Sequence, residues 1–520
     1  MKPPCDQAVI ESVRPAVPCS KSAEQWILAA TILGSSMAFI DSTVVNVALP
    51  AIQKTLGGTV IDMQWVVEGY ALFLSALILT GGALGDVFGR RRMFLAGVTV
   101  FAIASAGCGL AANIHQLVIA RAVQGCGAAF LVPGSLSIIS ASFSEQERGR
   151  AIGTWSGFTS IAAAAGPVLG GWLIEHASWR WAFFINMPIG AAVIGLSLLR
   201  VPESKMGAQR SVDWIGALIV TAGLAGMTYG FIESAELGWN NPSVWAAAIV
   251  GGACLIAFVY FEARTRSPMV PLDLFRSSDF TGANLLTFFL YAALGIFLFL
   301  FPLNFIQVQH YSATATGAAA LPFILLMFAL SRWSGGLVGH VGAKLPLIVG
   351  PIIAAAGFLL FALPGVASSY WTTFFPGFVL LGLGMALSVA PLTTVVMGAV
   401  DQNLAGTASG INNAVARIAG LLAVAILGMV MVSAFSHYLN QRLTQLAIPI
   451  DVMRSIQSNE IKLATLPVPD GLDPNTAATI RMSIELAFVF GFRVIMVICA
   501  GLSVVSSVFA WRMIGAEPRR

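Results

Sequence analysis

The chain contains fourteen apolar segments, each long enough to cross a lipid bilayer. A transmembrane helix needs about 20 predominantly apolar residues, and the segments meet that length. The sequence therefore predicts an all-α integral membrane protein with 14 transmembrane helices. The segments lie at about residues 26–49, 63–86, 93–112, 116–140, 149–174, 180–200, 213–232, 243–262, 280–306, 315–339, 345–364, 370–397, 406–435 and 486–512.

The composition and the placement of basic residues support a membrane protein with cytoplasmic termini. Hydrophobic residues make up 57% of the chain and charged residues 10%, against about 45–50% apolar and about 25% charged in soluble domains. Placing the amino terminus inside puts most lysines and arginines in cytoplasmic segments, as the positive-inside rule requires. The polar, proline-containing residues 1–25 are predicted to form a cytoplasmic tail. The net charge of +4 then follows from topology and does not indicate a nucleic-acid partner.

Short glycine patterns recur at nearly one spacing along the chain. Residues 80–87 are echoed by 334–341, and Gly125-Cys126-Gly127 is echoed by Gly382-Leu383-Gly384. This repeat predicts two related six-helix bundles separated by an extra helix pair. The predicted parts are an N-terminal bundle at 26–200, two linker helices at 213–262, and a C-terminal bundle at 280–512 that carries an extracytoplasmic loop at 436–485.

A glycine-rich segment followed by three arginines ends the second apolar run. Asp86 and Arg90 are four residues apart, so they share a face of a helix end and can form an ion pair. Gly82, Gly85 and Gly89 allow close contact with a neighbouring helix. We predict that these five residues form a conformational lock on the cytoplasmic side. The alternative is a positively charged stop to a membrane helix, with glycines that serve only packing.

Asp41, Glu68 and Arg121 are among the charged residues inside predicted spans, where an unpaired charge costs about 2.5 kcal/mol or more. Asp41 is a candidate proton-coupling residue, and its alternative role is a hydrogen bond to a neighbouring helix. Glu68 is a second candidate, or else an acid that reaches the membrane interface. Arg121 needs a buried partner, and Asp41 or backbone carbonyl groups are predicted to provide it. Structural bracing of two helices is the alternative role for Arg121.

The fifth predicted span contains Gly166, Pro167, Gly170 and Gly171. A proline removes one helical hydrogen bond and bends the helix, while the glycines permit close helix contact. The pattern predicts a tight, kinked seam between the two halves. A proline kink without a role in transport direction is the alternative.

The sequence offers little support for an enzyme or for nucleotide-driven transport. The five histidines are dispersed, the six cysteines form no CxxC pair, and no HExxH, GxSxG or GxxxxGK[ST] motif is present. We therefore expect no catalytic site, no metal and no cofactor. A channel or a facilitator is disfavoured because intramembrane polar residues are few.

The loop Gly82-x-x-Gly85-Asp86-x-x-Gly89-Arg90 resembles the signature of the major facilitator superfamily. The fourteen spans, with residues 41–50 and 179–190, resemble its drug:proton antiporter branch, and the Gly-Pro pattern of span 5 resembles the exporter signature, with Ala162 replacing the usual leading glycine. The resemblance implies a monomeric inner-membrane exporter that exchanges lipophilic, often cationic compounds for protons by alternating access, with Arg121 in proton transfer. Its expected partners are a small-molecule substrate, protons and membrane lipid. An exporter or facilitator of one metabolite is the alternative.

Overall fold

The computed structural model describes residues 21–143, 145–204, 212–265, 268–400, 405–445, 450–457, 459–468 and 472–515. These residues form helices and connecting turns, with no strand among them. Short 3-10 helices span Leu272–Arg276 and Glu460–Thr465, and π-helical turns span Asn304–Val308 and Tyr370–Phe374. The α-helices are α1 (Lys21–Leu56), α2 (Val60–Phe88), α3 (Arg90–Leu110), α4 (Ile114–Ser142), α5 (Glu145–His176), α6 (Trp181–Phe184), α7 (Asn186–Arg200), α8 (Trp214–Leu237), α9 (Pro242–Glu262), α10 (Ser278–Leu303), α11 (Ala313–Ala319), α12 (Leu321–Val341), α13 (Lys344–Phe361), α14 (Phe375–Gly398), α15 (Ala405–Thr444), α16 (Ile450–Gln457) and α17 (Pro474–Met513).

Fourteen of the helical segments are long and apolar enough to cross a membrane. This confirms the predicted all-α fold and its number of transmembrane helices. Several helices extend beyond the apolar segments. An apolar segment marks only the part that fits the bilayer core, whereas backbone hydrogen bonds and caps decide where a helix ends. The first helix starts at Lys21, inside the predicted tail, and residues 1–20 lie outside the described residues.

Helical structure extends into both ends of the segment 436–485, which the sequence predicts to be an extracytoplasmic loop. Helix α15 continues to Thr444, and α17 already begins at Pro474. Asp473 caps α17, because its Oδ1 accepts hydrogen bonds from the backbone N–H groups of Asn475 and Thr476 at 3.0 Å each. The connection between these helices is therefore shorter than the apolar pattern indicated, and it contains α16 and a 3-10 helix.

The chain divides into two compact units. The first unit comprises residues up to Val45, Val66–Ala225 and Gly251–Leu272. The second comprises Asn46–Trp65, Gly226–Val250 and Asp273 onward. Each unit is built from several membrane helices that pack on one another within it.

The glycine repeat of the sequence corresponds to close helix packing in the first unit. A Cβ on Gly125 of α4 would overlap the Tyr70 carbonyl oxygen of α2. A Cβ on Gly127 would lie 2.6 Å from the Phe101 backbone nitrogen of α3 and 3.0 Å from the Gly97 carbonyl oxygen. Helix α4 can therefore approach both neighbours at backbone distance only because these positions lack a side chain.

The second unit repeats this packing at the echoed positions. A Cβ on Gly382 of α14 would lie 2.9 Å from the Phe323 carbonyl oxygen of α12, and one on Gly384 would lie 2.6 Å from the Gly350 carbonyl oxygen of α13. The two units thus use glycines at equivalent sequence positions for equivalent helix contacts. This agreement supports a duplicated architecture.

Candidate functional site

A buried ion pair joins α1 to α4 in the first unit. The Nη1 of Arg121 contacts Oδ2 of Asp41, and the side chains of these residues are 2% and 0% exposed. Removing two charges from water is costly unless they pair and every remaining polar atom has a partner. The pairing predicted from the sequence is therefore present, and both side chains are so buried that each charge needs the other.

Amide and hydroxyl side chains complete the surroundings of the Asp41 carboxylate. Its Oδ1 accepts hydrogen bonds from Nε2 of Gln124 at 2.8 Å and from Nδ2 of Asn186 at 3.3 Å. Both amides also donate to the hydroxyl oxygen of Ser105, at 3.2 Å and 3.0 Å. Ser105 in turn donates to the Phe183 carbonyl oxygen at 2.9 Å. Every neighbour of the carboxylate donates, which suits an ionised acid that only accepts.

The Arg121 guanidinium is held by groups on three sides. Its Nε donates to the Val66 carbonyl oxygen at 3.0 Å, and Nη1 donates to Oε1 of Gln124 at 2.8 Å. The guanidinium carbon lies 4.2 Å from the centre of the Tyr70 ring, a distance typical of cation–π contacts. Both kinds of partner expected from the sequence, Asp41 and a backbone carbonyl, are thus present.

Four members of this network were not singled out as site residues from the sequence. Gln124, Asn186, Ser105 and Tyr70 are all buried. Gln124 and Asn186 lie inside motifs that were recognised for other reasons, so the available signal was a polar residue inside an apolar span. Only the tertiary fold shows that Gln124 and Asn186 meet at one carboxylate, with Ser105 bonded to both amides and Tyr70 beside Arg121.

Glu68 lies in α2 and is 1% exposed. Its Oε2 is buried and has no hydrogen-bond partner among the described residues. This burial differs from the interfacial acid that the sequence left open as an alternative. The structure does not link Glu68 to Asp41 by a hydrogen bond between described residues.

The predicted ion pair lies at the junction of α2 and α3. Both Nε and Nη2 of Arg90 donate to Oδ1 of Asp86, at 3.0 Å and 2.9 Å. The Nη1 of Arg90 also donates to the Ser137 carbonyl oxygen of α4 at 3.3 Å. The pair therefore joins the end of α2, the start of α3 and the end of α4.

The glycines of this loop differ in what they do. A Cβ on Gly82 or Gly85 would meet its neighbours at 3.6 Å or more, which is ordinary contact. Gly81 is the tight position, since a Cβ there would overlap the Ala129 carbonyl oxygen of α4. Gly89 has φ of 108°, a conformation that side chains rarely adopt. The backbone requirement thus falls on Gly81 and Gly89.

Glu203, which follows α7, caps the first turn of α3. Its Oε1 and Oε2 accept hydrogen bonds from the backbone N–H groups of Arg91 at 3.1 Å and Arg92 at 3.2 Å. A carboxylate at a helix amino terminus also interacts favourably with the helix dipole. The sequence did not suggest this contact, because the two partners are more than one hundred residues apart. Glu203 belongs structurally to the loop that carries Asp86 and Arg90.

Helix α5 packs its glycines against α1. A Cβ on Gly166 would overlap Oγ1 of Thr43, and one on Gly170 would lie 2.7 Å from Cγ1 of Val44. Pro167 lies inside the helix, and Gly171 is buried beside Gly170. The close contacts of Gly166 and Gly170 are thus within the first unit, whereas the sequence predicted a seam between the two halves. The difference arises because a glycine pattern identifies a close helix contact without identifying the partner helix.

The described part of the chain contains no group of three or more His, Cys, Asp or Glu residues that could hold a metal ion. The Asp41 network itself offers charge and hydrogen bonding. A neutral side chain in place of the carboxylate would lose its attraction for Arg121 and would weaken the contact between α1 and α4.

Comparison with known proteins assigns the chain to a class. The model of the Major Facilitator Superfamily matches residues 31–424. The chain belongs to the major facilitator superfamily, and it is a multi-pass membrane transporter of small-molecule substrates. This confirms the resemblance carried by the loop after α2 and by the motifs around Asp41 and Asn186.

Relatives and a solved structure extend over nearly the whole chain. The chain is 35% identical to the "Multidrug resistance protein Stp" of Mycobacterium tuberculosis over 93% of this chain and 91% of that protein. It is 30% identical to the "Tetracenomycin C resistance and export protein" of Streptomyces glaucescens over 94% and 92%. A bacterial homologue of the human lysosomal transporter Spinster, in an inward-facing and unoccupied conformation, has a TM-score of 0.63 at 17% identity, with 96% of this chain and 100% of that chain covered. The structural likeness concerns the fold alone.

Proposed function

We propose that the protein is a proton-coupled exporter of small lipophilic, drug-like compounds, often cationic, that works by alternating access. The observation that carries this proposal is the buried Asp41–Arg121 ion pair and its polar network in the first unit. Such an arrangement is expensive at membrane depth, and intramembrane ionisable residues of this kind typically mark proton or substrate pathways. The names of the two relatives, which refer to multidrug resistance and to export of an antibiotic, support the export of toxic compounds.

Proton binding at Asp41 is the proposed coupling event. The ionised carboxylate holds Arg121 and two amides, and it provides the negative charge for a cationic substrate. A proton that arrives from the outer side removes that charge, releases the substrate and weakens the contact between α1 and α4. Loss of the proton to the cytoplasm restores the pair. Glu68 is proposed as a second proton-binding residue, supported by its burial in α2 without a hydrogen-bond partner among the described residues.

The loop between α2 and α3 is proposed to act as the conformational lock. Asp86 and Arg90 link three helix ends, and Glu203 holds the first turn of α3. Gly82 and Gly85 are included in the proposed lock, and Gly89 provides the backbone conformation and the space that Glu203 occupies. We propose that the segment with Gly166, Pro167, Gly170 and Gly171, in which Gly166 and Gly170 pack on α1, favours export over uptake.

The proposed cellular arrangement rests on the distribution of basic residues for the side of the termini and on the family for the rest. Both termini are cytoplasmic, the protein lies in the inner membrane of a bacterial-type cell, and it works as a monomer. The two six-helix bundles at 26–200 and 280–512 and the linker helices at 213–262 are the proposed functional parts. No nucleotide or nucleic acid takes part.

A second candidate is an exporter dedicated to one compound. It is favoured by the relative named for resistance to and export of a single product, tetracenomycin C. The two candidates differ in breadth. A panel of chemically unrelated toxic compounds, tested on cells with and without the gene, distinguishes protection against several from protection against one.

The proposal is tested with purified protein in sealed liposomes. An imposed pH gradient is expected to drive a lipophilic fluorescent cation such as ethidium against its concentration gradient, and an uncoupler should stop it. Asp41→Asn should abolish this movement while the protein still inserts and purifies as the wild type does. If an imposed pH gradient drives none of the compounds against which the gene protects cells, the proposal is overturned. Transport that persists without a proton gradient would indicate a facilitator.

A further inference from the structure

Two carboxyl groups meet at the ends of the linker helices in the first unit. Asp213 immediately precedes α8, and Glu262 is the last residue of α9. An ideal Cβ on Gly216 lies close to an oxygen of each side chain, so the two carboxyl groups are neighbours. Both point at Gly216, where a Cβ would lie 2.5 Å from Oδ2 of Asp213 and 3.0 Å from Oε1 of Glu262. A side chain at position 216 would therefore occupy the space that the two oxygens share.

One oxygen of each carboxyl group has a backbone donor, and the other has none. The Gly216 N–H donates to Oδ1 of Asp213 at 2.8 Å, and the Val270 N–H donates to Oε2 of Glu262 at 3.1 Å. Oδ2 of Asp213 and Oε1 of Glu262 are buried and lack a hydrogen-bond partner among the described residues. Glu262 as a whole is 2% exposed. These two unpartnered oxygens are the atoms that face Gly216.

Among the described residues, no ion pair joins either acid to a basic side chain. Asp213 is the acid that lies beside Glu262, and the Val270 N–H donates to Glu262. The nearby Arg264 guanidinium stacks on the Tyr260 ring at 4.2 Å. Two carboxylates that share a buried site repel each other, and a single proton between them turns that repulsion into a hydrogen bond.

A proton suits this site better than a metal ion. Cations such as Mg²⁺ and Ca²⁺ need about six or more oxygen ligands, and the described residues contain no group of three metal-ligating side chains. We propose that Asp213 and Glu262 form a proton-binding site in which one proton is held between the two carboxyl groups. This site is separate from the Asp41 network and does not depend on the proposed transport function.

The position of the site indicates what the proton stabilises. Through Val270 the pair holds residues 268–272 against the end of α9. Met269 lies beside Val270, and its sulfur accepts a hydrogen bond from Oγ1 of Thr80 in α2 at 3.3 Å. Thr80 directly precedes the glycine segment of the loop between α2 and α3. A proton bound at Asp213 and Glu262 thus stabilises the attachment of the linker helices to α2.

Infrared difference spectroscopy of the purified protein tests the site. Subtracting the spectrum of Glu262→Gln from that of the wild type at pH 7 should reveal one protonated carboxyl C=O stretching band. Asp213→Asn should remove the same band, because the remaining acid then accepts from an amide and ionises. Glu460→Gln, which neutralises a half-buried acid elsewhere, is the matched control and should leave this band in place. A band that survives either substitution at the pair would overturn the shared proton.

Thermal unfolding in detergent provides a second measurement that needs no transport. Folded protein holds this proton more tightly than the unfolded chain does, so wild-type stability should fall over the pH range in which only the folded protein is protonated and level off above it. Glu262→Gln should match the wild type at acidic pH and exceed it at alkaline pH. An identical pH dependence in both proteins would overturn the proposal. Stabilisation by a divalent cation that Glu262→Gln abolishes would identify a metal site and would also overturn it.

Discussion

At the scale of single residues, the energetics of the first unit depend on one buried charge pair. Asp41 and Arg121 are inaccessible to water, and each satisfies the other together with amide and carbonyl groups. Breaking a buried pair by removing one partner typically costs about 3–5 kcal/mol, because the remaining charge is left uncompensated. Removing both charges is much less harmful. This asymmetry gives the pair a measurable signature.

We predict that Arg121→Leu lowers the stability of the purified protein by roughly 3–5 kcal/mol. The double variant Asp41→Asn/Arg121→Leu should recover a large part of that loss, since no unpaired charge remains. Thermal unfolding of Asp41→Asn, Arg121→Leu and the double variant measures the coupling free energy between the two side chains. Losses that simply add would show that the two side chains do not stabilise each other.

A different outcome is expected at Glu68, because its carboxyl group is buried and its Oε2 has no hydrogen-bond partner among the described residues. Glu68→Gln keeps the size of the side chain and removes its ability to release a proton. Acid-driven efflux in liposomes should fall while equilibrium substrate binding stays at the wild-type level. Asp473→Asn, at an exposed helix cap, is the control for a lost carboxylate. Unchanged efflux by Glu68→Gln would remove Glu68 from the proposed coupling.

At the scale of helices and loops, close packing depends on a small number of glycines. Helix α4 approaches α3 at Gly127, and α14 approaches α13 at Gly384. Polar loop contacts then hold the helix ends, with Glu203 on the first turn of α3. The repeats in the sequence predicted the packing glycines. They did not predict the Glu203 contact, because it joins distant parts of the chain.

We predict that Gly127→Ala and Gly384→Ala each destabilise the protein by roughly 1–3 kcal/mol, the usual range for overpacking. A Cβ at these positions would lie within 3.0 Å of backbone atoms, which cannot move aside as a flexible side chain can. Gly501→Ala in α17 is the matched control, because no atom lies within 4 Å of its Cβ position. Equal melting temperatures for all three variants would contradict this account of helix packing.

The loop after α2 can be tested at Gly89. A Cβ there would lie 2.7 Å from Oε1 of Glu203, in a backbone conformation with φ of 108°. We expect Gly89→Ala to displace Glu203 and to lower the rate of transport more than substrate affinity. Gly57→Ala separates strain from displacement, since Gly57 also has positive φ, 70°, but has no neighbour within 4 Å. If both variants slow transport equally, strain alone is responsible.

At the scale of the whole molecule, fourteen membrane helices and the distribution of basic residues determine a proposed topology. Arg92 has a side chain that is 77% exposed and lies in the first turn of α3, at the membrane side that the proposed topology assigns to the cytoplasm. Arg454 is exposed in α16, in the segment assigned to the outer side. These two positions report opposite faces of the membrane.

We predict opposite labelling of cysteines placed at these positions in a variant that lacks the native cysteines. In intact cells or spheroplasts, Arg454→Cys should react with a membrane-impermeant maleimide and Arg92→Cys should not. Permeabilising the membrane should expose Arg92→Cys. The reverse pattern would invert the proposed topology, and labelling of both from outside would contradict the count of spans between them.

The sequence by itself determined that the protein lies in a membrane, how many membrane helices it has, and its family. These properties follow from the length and polarity of local segments and from short motifs, such as the loop with Asp86 and Arg90, whose partners are four residues apart. The same local rules located Asp41 and Arg121 as costly charges that needed partners.

Only the tertiary structure decided which side chains meet. Gln124, Asn186 and Ser105 converge on Asp41 from three helices, Glu203 reaches the start of α3, and Asp213 faces Glu262 across Gly216. The physical reason is that helix packing brings together residues far apart in the chain, while hydropathy and spacing describe only neighbours along it. For the same reason the glycines of α5 could be recognised as a packing surface, but their partner, α1, could not.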